Sequence, residues 1–130
     1  MPPPRLFTPA EANQTLPLVR RIVTDILAAG QVMKALHLKH GPAVPTVVEF
    51  QQRLAEMEEL MRELETIGCS FRDWNFELGL VDFPAVVDGE EVLLCWRSDE
   101  PAVAFYHGVN AGYAGRKPVP AHLLSPTTVG

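Results

Sequence analysis

The stretch that decides the fold runs from Gly79 to Arg116, GLVDFPAVVDGEEVLLCWRSDEPAVAFYHGVNAGYAGR. Its pivot is Asp88-Gly89, set between two apolar-rich runs. Those two residues tolerate the left-handed backbone that a two-residue hairpin turn demands, so the pair marks a β-hairpin. The reading predicts strands over about Leu80 to Val87 and Glu90 to Arg97. Ser98 to Pro101 forms the next turn in this reading, and Ala102 to His107 a third strand. After Gly108 the periodicity stops in a glycine-rich loop.

Fixing the turn fixes the register. Ala85 then faces Val92, Phe83 faces Leu94, Asp82 faces Cys95 and Leu80 faces Arg97. Side chains alternate along a strand, so Val81, Phe83, Ala85, Val92, Leu94 and Trp96 share one apolar face that should pack on helices. Asp82, Cys95 and Arg97 share the other, with Asp82 and Arg97 as a diagonal pair. A four-residue turn at Ser98 to Pro101 adds Ala104 and Tyr106 to the Asp82 face and sends His107 toward the helices. A turn one residue longer or shorter reverses that. Pro84 has no N–H for a ladder, which predicts an edge strand or a bulge there.

Upstream of the sheet, two long segments carry helical periodicity. Thr8-Pro9-Ala10-Glu11 supplies a cap, a first-turn proline and a capping-box glutamate, with Phe7 as a hydrophobic staple. Ala12, Leu16, Val19, Val23, Ile26, Gly30 and Met33 then recur at alternating fours and threes. Pro17 removes a backbone hydrogen bond within that stripe and predicts a kink. The helix should end between Leu38 and Gly41. His37 and His40 lie three apart there, but a catalytic metal wants a third ligand, and cations at a helix C-terminus already complement the dipole.

After a proline linker, Thr46-Val47-Val48-Glu49 repeats the capping-box pattern. A second stripe follows at Val47, Phe50, Leu54, Met57, Met61 and Leu64, ending at Gly68. Two amphipathic helices with a short connection form an antiparallel hairpin. Cys69 to Glu77 is an irregular bridge with room for one short strand. The expected fold is α+β: a helical hairpin (about 8–67), its first helix kinked, packed on a small three-stranded antiparallel sheet. The sheet and glycine loop occupy about 69–116, and 117–130 is expected to be a flexible tail of one single domain.

The 130 residues carry a net charge of −5, with 47% hydrophobic and 21% charged residues. That composition belongs to a globular domain. Without a dense Lys/Arg block it argues against nucleic-acid or anionic-membrane partners, which require clustered positive charge. MPPPRLFTPAE lacks the apolar run of a signal peptide, so a soluble cytoplasmic protein with reduced thiols is expected. The two cysteines, Cys69 and Cys95, form no CxxC pair and read as buried apolar thiols.

Candidate chemistry gathers on the Asp82 face. Asp82 and Arg97 can frame a polar ligand or form a structural ion pair. Cys95 as a nucleophile would need a base nearby. His107 is the candidate acid/base. In the loop from Gly108 to Arg116, inward-turned amides and the Arg116 charge can hold an anion. The loop has no Walker ending and no dinucleotide fingerprint.

The motif residues F-T-P-A-E-A-N (Phe7 to Asn13) with Leu16, Pro17 and Arg20 open a resemblance. G-L-V-D-F-P-A (Gly79 to Ala85), L-C-W-R (Leu94 to Arg97), Glu100, His107, Gly112 and Gly115-Arg116 complete it. Together they resemble a family of small, mainly bacterial proteins classed as a domain of unknown function. The resemblance implies no assigned activity and carries over no catalytic residue.

The resulting expectation is a binding module, a homo-dimer through its helices, with a small anionic ligand held by Asp82, Arg97, Tyr106, His107 and Arg116. No cofactor or metal is expected. An enzyme would use His107 as acid/base, with Arg97 and Arg116 fixing the anion. A metal protein would need Asp82, Cys95 and His107 to converge, which the favoured register does not allow.

Overall fold

In the computed structural model, residues 5–73 and 75–124 are described. Helix α1 spans Pro9–His40 and α2 spans Val48–Ile67, joined by a 3₁₀ segment at Gly41–Thr46. The strands are β1 (Ser70–Phe71), β2 (Leu80–Val87), β3 (Glu90–Arg97), β4 (Phe105–Gly108) and β5 (Lys117–Pro118), followed by a one-turn helix α3 (Ala121–Leu124). The strands form one antiparallel sheet in the order β1-β2-β3-β4-β5. Among the described residues no helix is long and apolar enough to cross a membrane.

Helix α1 starts on the predicted capping box: the Glu11 amide donates to Thr8 Oγ1 at 3.0 Å and the Thr8 amide to Glu11 Oε1 at 2.9 Å. Pro17 lies inside the helix, which is kinked. Its stripe is buried at Ala12, Leu16, Val19, Val23, Ile26 and Gly30. Gly30 is required by a close approach, since a Cβ there would fall 2.3 Å from Phe76 Cγ. Helix α2 departs from expectation at its start. Thr46 belongs to the 3₁₀ segment and its hydroxyl donates to the Ala43 carbonyl, so Val47 is the cap residue and no side chain caps the helix. Only Met57 and Leu64 of its stripe are buried, and Leu54 is exposed.

The hairpin register is the one the turn dictates, with Phe83 opposite Leu94 and Asp82 opposite Cys95. Asp88 and Gly89 both adopt positive φ, +52° and +81°, as the primed turn requires. Phe83, Leu94 and Trp96 are all fully buried in one cluster with Leu16, Val19, Val23 and Ile26. Burying each such side chain contributes about 1.5–3 kcal/mol, which makes the helix-facing side of the hairpin the core.

The sheet has five strands rather than three because short flanking segments pair with its edges. At one edge β1 covers only Val81 and Asp82. Beyond it the Phe7 amide donates to the Pro84 carbonyl at 2.7 Å, and the Phe7 ring packs edge-on against Phe83. An extended residue points N–H and C=O to the same side, so the donor that Pro84 lacks faces this thinly covered edge. Proline is tolerated there without a bulge. At the other edge, where a flexible tail was expected, Lys117 pairs with Tyr106 and Pro118 with Phe105. Val119 is buried and its amide donates to Ala104. The remainder of the expected tail, 125–130, lies outside the described residues.

Candidate metal centre

Three adjacent strands each contribute one side chain to the outer face of the sheet. Asp82 stands on β2 and Cys95 directly opposite on β3. On β4, His107 pairs with Leu93, two residues from Cys95 along β3, and therefore shares its face. The connection between β3 and β4 is Ser98 to Ala104, longer by an odd number than the four-residue turn expected. That parity reverses β4: His107 joins Asp82, and Tyr106 turns toward the helices and packs on the core. The convergence that the expected register denied is present.

All three groups are buried, Asp82 at 5%, Cys95 at 1% and His107 at 3% exposure. One ligand atom from each lies within 4.8 Å of the others. Over them opens a cavity of about 440 Å³. Leu80, Leu93 and Val109 form its apolar walls, and Arg72, Asn110 and Tyr113 add polar groups.

The hydrogen-bond chemistry of His107 is informative. Its Nδ1 lies 2.9 Å from the Gly108 carbonyl oxygen, which can only accept, so Nδ1 carries a proton. The other nitrogen, Nε2, lies 3.2 Å from Asp82 Oδ1. A neutral imidazole with its proton on Nδ1 presents a lone pair at Nε2, and a carboxylate presents another. Two acceptors at that separation need a second proton or a metal cation between them. The remaining carboxylate oxygen, Asp82 Oδ2, is 3.3 Å from Arg72 Nε.

Cys95 is not poised as a free nucleophile. Burial first, and then the Asp82 carboxylate, push its thiol up to about 11, against a smaller pull from Arg116. A thiol so raised is protonated at neutral pH. Cys69, buried under α2, is raised to about 12 mainly by desolvation and is inert packing, as expected.

Residues 5–119 match the description "Uncharacterized conserved protein (DUF2203)". The chain belongs to that family. No protein of curated description and no solved structure matches it significantly.

In this DUF2203 chain the arginines singled out from sequence are bound within the protein. Arg97 lies on the Asp82 face, but its Nε donates to Asp99 and its Nη1 to the Tyr113 hydroxyl. The expected Asp82–Arg97 pair is replaced by Asp82 with Arg72 and His107. Arg116 Nη2 donates to Glu100 Oε1 at 2.6 Å and to the Cys95 carbonyl at 3.0 Å. Its guanidinium also lies over the rings of Phe105 and Tyr113. The glycine loop is thus tied to the backbone of the Cys95 strand. Among the described residues, His37 and His40 gain no third ligand.

Arg72 and Tyr113 went unselected in the sequence. Arg72 follows β1, and its amide donates to the Leu80 carbonyl at 2.7 Å, which carries the side chain over Asp82. A two-residue strand leaves no periodic signal.

Proposed function

We propose that this protein is a metalloprotein with a centre of the open, catalytic type. Asp82, Cys95 and His107 hold one divalent transition ion, and a further coordination position faces the cavity. The observation that carries the reading is the buried convergence of Asp82, Cys95 and His107, whose ligand atoms lie within 4.8 Å of one another, with His107 Nε2 3.2 Å from Asp82 Oδ1. In a tetrahedral zinc site with bonds near 2.0–2.1 Å, nitrogen and oxygen ligands stand about 3.3 Å apart. The Gly108 carbonyl on Nδ1 is the outer contact that commonly orients a ligating imidazole. A mixed sulfur, nitrogen and oxygen set suits Zn²⁺ among the common cations.

Three protein ligands and an open position distinguish catalytic zinc from structural zinc. Such an ion activates a bound water or polarises an oxygen of the substrate, so a hydrolytic or hydration reaction is the chemistry this centre suits. The alternative enzyme, His107 acting with Arg97 and Arg116, lacks support. Both guanidiniums are engaged by Asp99 and Glu100.

Metal analysis of protein purified without chelators tests the proposal. About one equivalent of zinc or another transition metal is expected, and loss of it in Cys95→Ser and His107→Ala with circular dichroism unchanged. Wild-type protein that is metal-free and does not compete with a chromophoric chelator for Zn²⁺ refutes it.

Self-association through the helices is retained as part of the proposal, with a second copy of the chain as the partner. A groove of about 320 Å³ lined by Met33, Leu38 and Phe50 supports it, because Leu38 is 86% exposed and apolar patches of this kind favour association. Sedimentation as a single 14.4 kDa species at high concentration would remove this element without touching the metal centre.

A further inference from the structure

We propose that the cavity over Asp82, Cys95 and His107 receives a small oxyanion, with one oxygen on the metal and another on the guanidinium of Arg72. This rests on the metal reading and adds the class of ligand.

Arg72 is the observation that carries it. Its Nε lies 3.3 Å from Asp82 Oδ2, yet its side chain remains 57% exposed and lines the same cavity. Among the described residues neither of its Nη groups has a hydrogen-bond partner, whereas Arg97 gives Nη1 to the Tyr113 hydroxyl and Arg116 gives Nη2 to Glu100 and the Cys95 carbonyl. A guanidinium fork matches the paired oxygens of a carboxylate or phosphate.

Charge points the same way. A divalent ion with one carboxylate, one thiolate and a neutral imidazole is electrically balanced. Arg72 then leaves the cavity with one net positive charge, since Asp73, Asp99 and Glu100 are not among its lining residues. Asp73 turns its carboxylate to the amides of Asn75 and Leu78, outside the cavity lining, and Asp99 and Glu100 are paired with arginines. The Tyr113 hydroxyl accepts from Arg97, which leaves its own proton to donate. Leu80, Leu93 and Val109 offer room for a short apolar tail beside the anionic head.

The experiment uses protein loaded with Co²⁺, whose visible bands report changes in coordination. Butyrate and inorganic phosphate are titrated separately. A saturable band shift with either probe is expected in the wild type, weakened roughly 10- to 100-fold in Arg72→Gln, the range of a charge-assisted hydrogen bond. Arg72→Lys, which keeps the charge but not the fork, should fall between. A response to butyrate alone assigns a carboxylate ligand, and a response to phosphate alone assigns a phosphate ester. Cobalt-loaded protein that responds to neither probe, or equally in wild type and Arg72→Gln, overturns the inference and leaves the metal reading standing. Wild-type protein that develops no cobalt spectrum overturns the metal reading itself, and this inference with it.

Discussion

Leu93 faces His107 across β3 and β4, and that pairing carries the imidazole onto the side of the sheet that holds Asp82 and Cys95. The opposite parity would press it into the helices. The loop from Ser98 to Ala104 sets the parity, and three side chains hold it. Trp96 Nε1 donates to the Glu100 carbonyl at 3.0 Å and Arg20 Nη2 to the Pro101 carbonyl at 3.1 Å. Asn13 donates to the Val103 carbonyl and accepts its amide.

Asn13 is therefore a distant support of the centre. Asn13→Ala leaves the amide of the fully buried Val103 without its acceptor, a loss of about 1–3 kcal/mol readable by urea unfolding. Asn13→Asp keeps an acceptor for the Val103 amide but sets a carboxylate oxygen against the Pro9 and Val103 carbonyls, so it should also destabilise. Zn²⁺ affinity should fall in Asn13→Ala although the residue touches no ligand. Unchanged stability in both variants would remove the clamp from the account.

Zinc should stabilise the fold through linkage. With free Zn²⁺ a thousandfold above its Kd, the folded state gains about 4 kcal/mol, a rise of many degrees in melting temperature for a domain this small. Cys95→Ser and His107→Ala should show little of that rise. Equal shifts in wild type and variants would mean adventitious surface binding.

Glu100 and Arg116 form a mostly buried ion pair, 14% and 12% exposed. Removing one partner leaves the other charge in a poor medium. Arg116→Met alone should cost roughly 3 kcal/mol, and Glu100→Gln with Arg116→Met together considerably less. A double variant as damaged as the sum of the two single ones would contradict that coupling. Chemical denaturation of the four proteins closes the cycle.

Much of the fold was legible in the sequence because strong local signals agreed. Asp88-Gly89 fixed the hairpin register, and Thr8 with Glu11 fixed the start of α1. The site was legible only in part. Asp82 and Cys95 could be paired from the turn alone, but the face of His107 depended on counting an irregular loop. Its length is set by contacts with Asn13 and Arg20, far back in the chain. Arg72 was missed for a related reason: β1 is two residues long and exists through pairing with β2, so no periodicity announces it. Arg97 and Arg116 drew attention by charge, which does not reveal that Asp99 and Glu100 were already their partners.

The capping box makes a separate prediction in acid. Hydrogen bonds from the Thr8 amide and then the Thr8 side chain, helped by Arg5, hold the Glu11 carboxyl below its ordinary value of 4.5. A depressed folded value means the ionised group stabilises the native state, and that share is fully present above the unfolded value. It drains away as pH falls from 4.5 through the folded value. Glu11→Gln keeps an acceptor but loses the charge, so its deficit against wild type should be seen at neutral pH and close in acid. Thr8→Ala removes the cap itself and should cost about 1 kcal/mol at neutral pH. Urea midpoints for the three proteins across the acid range test both statements, and a Glu11→Gln deficit that persists unchanged below the folded value would show that charge is not what stabilises the box.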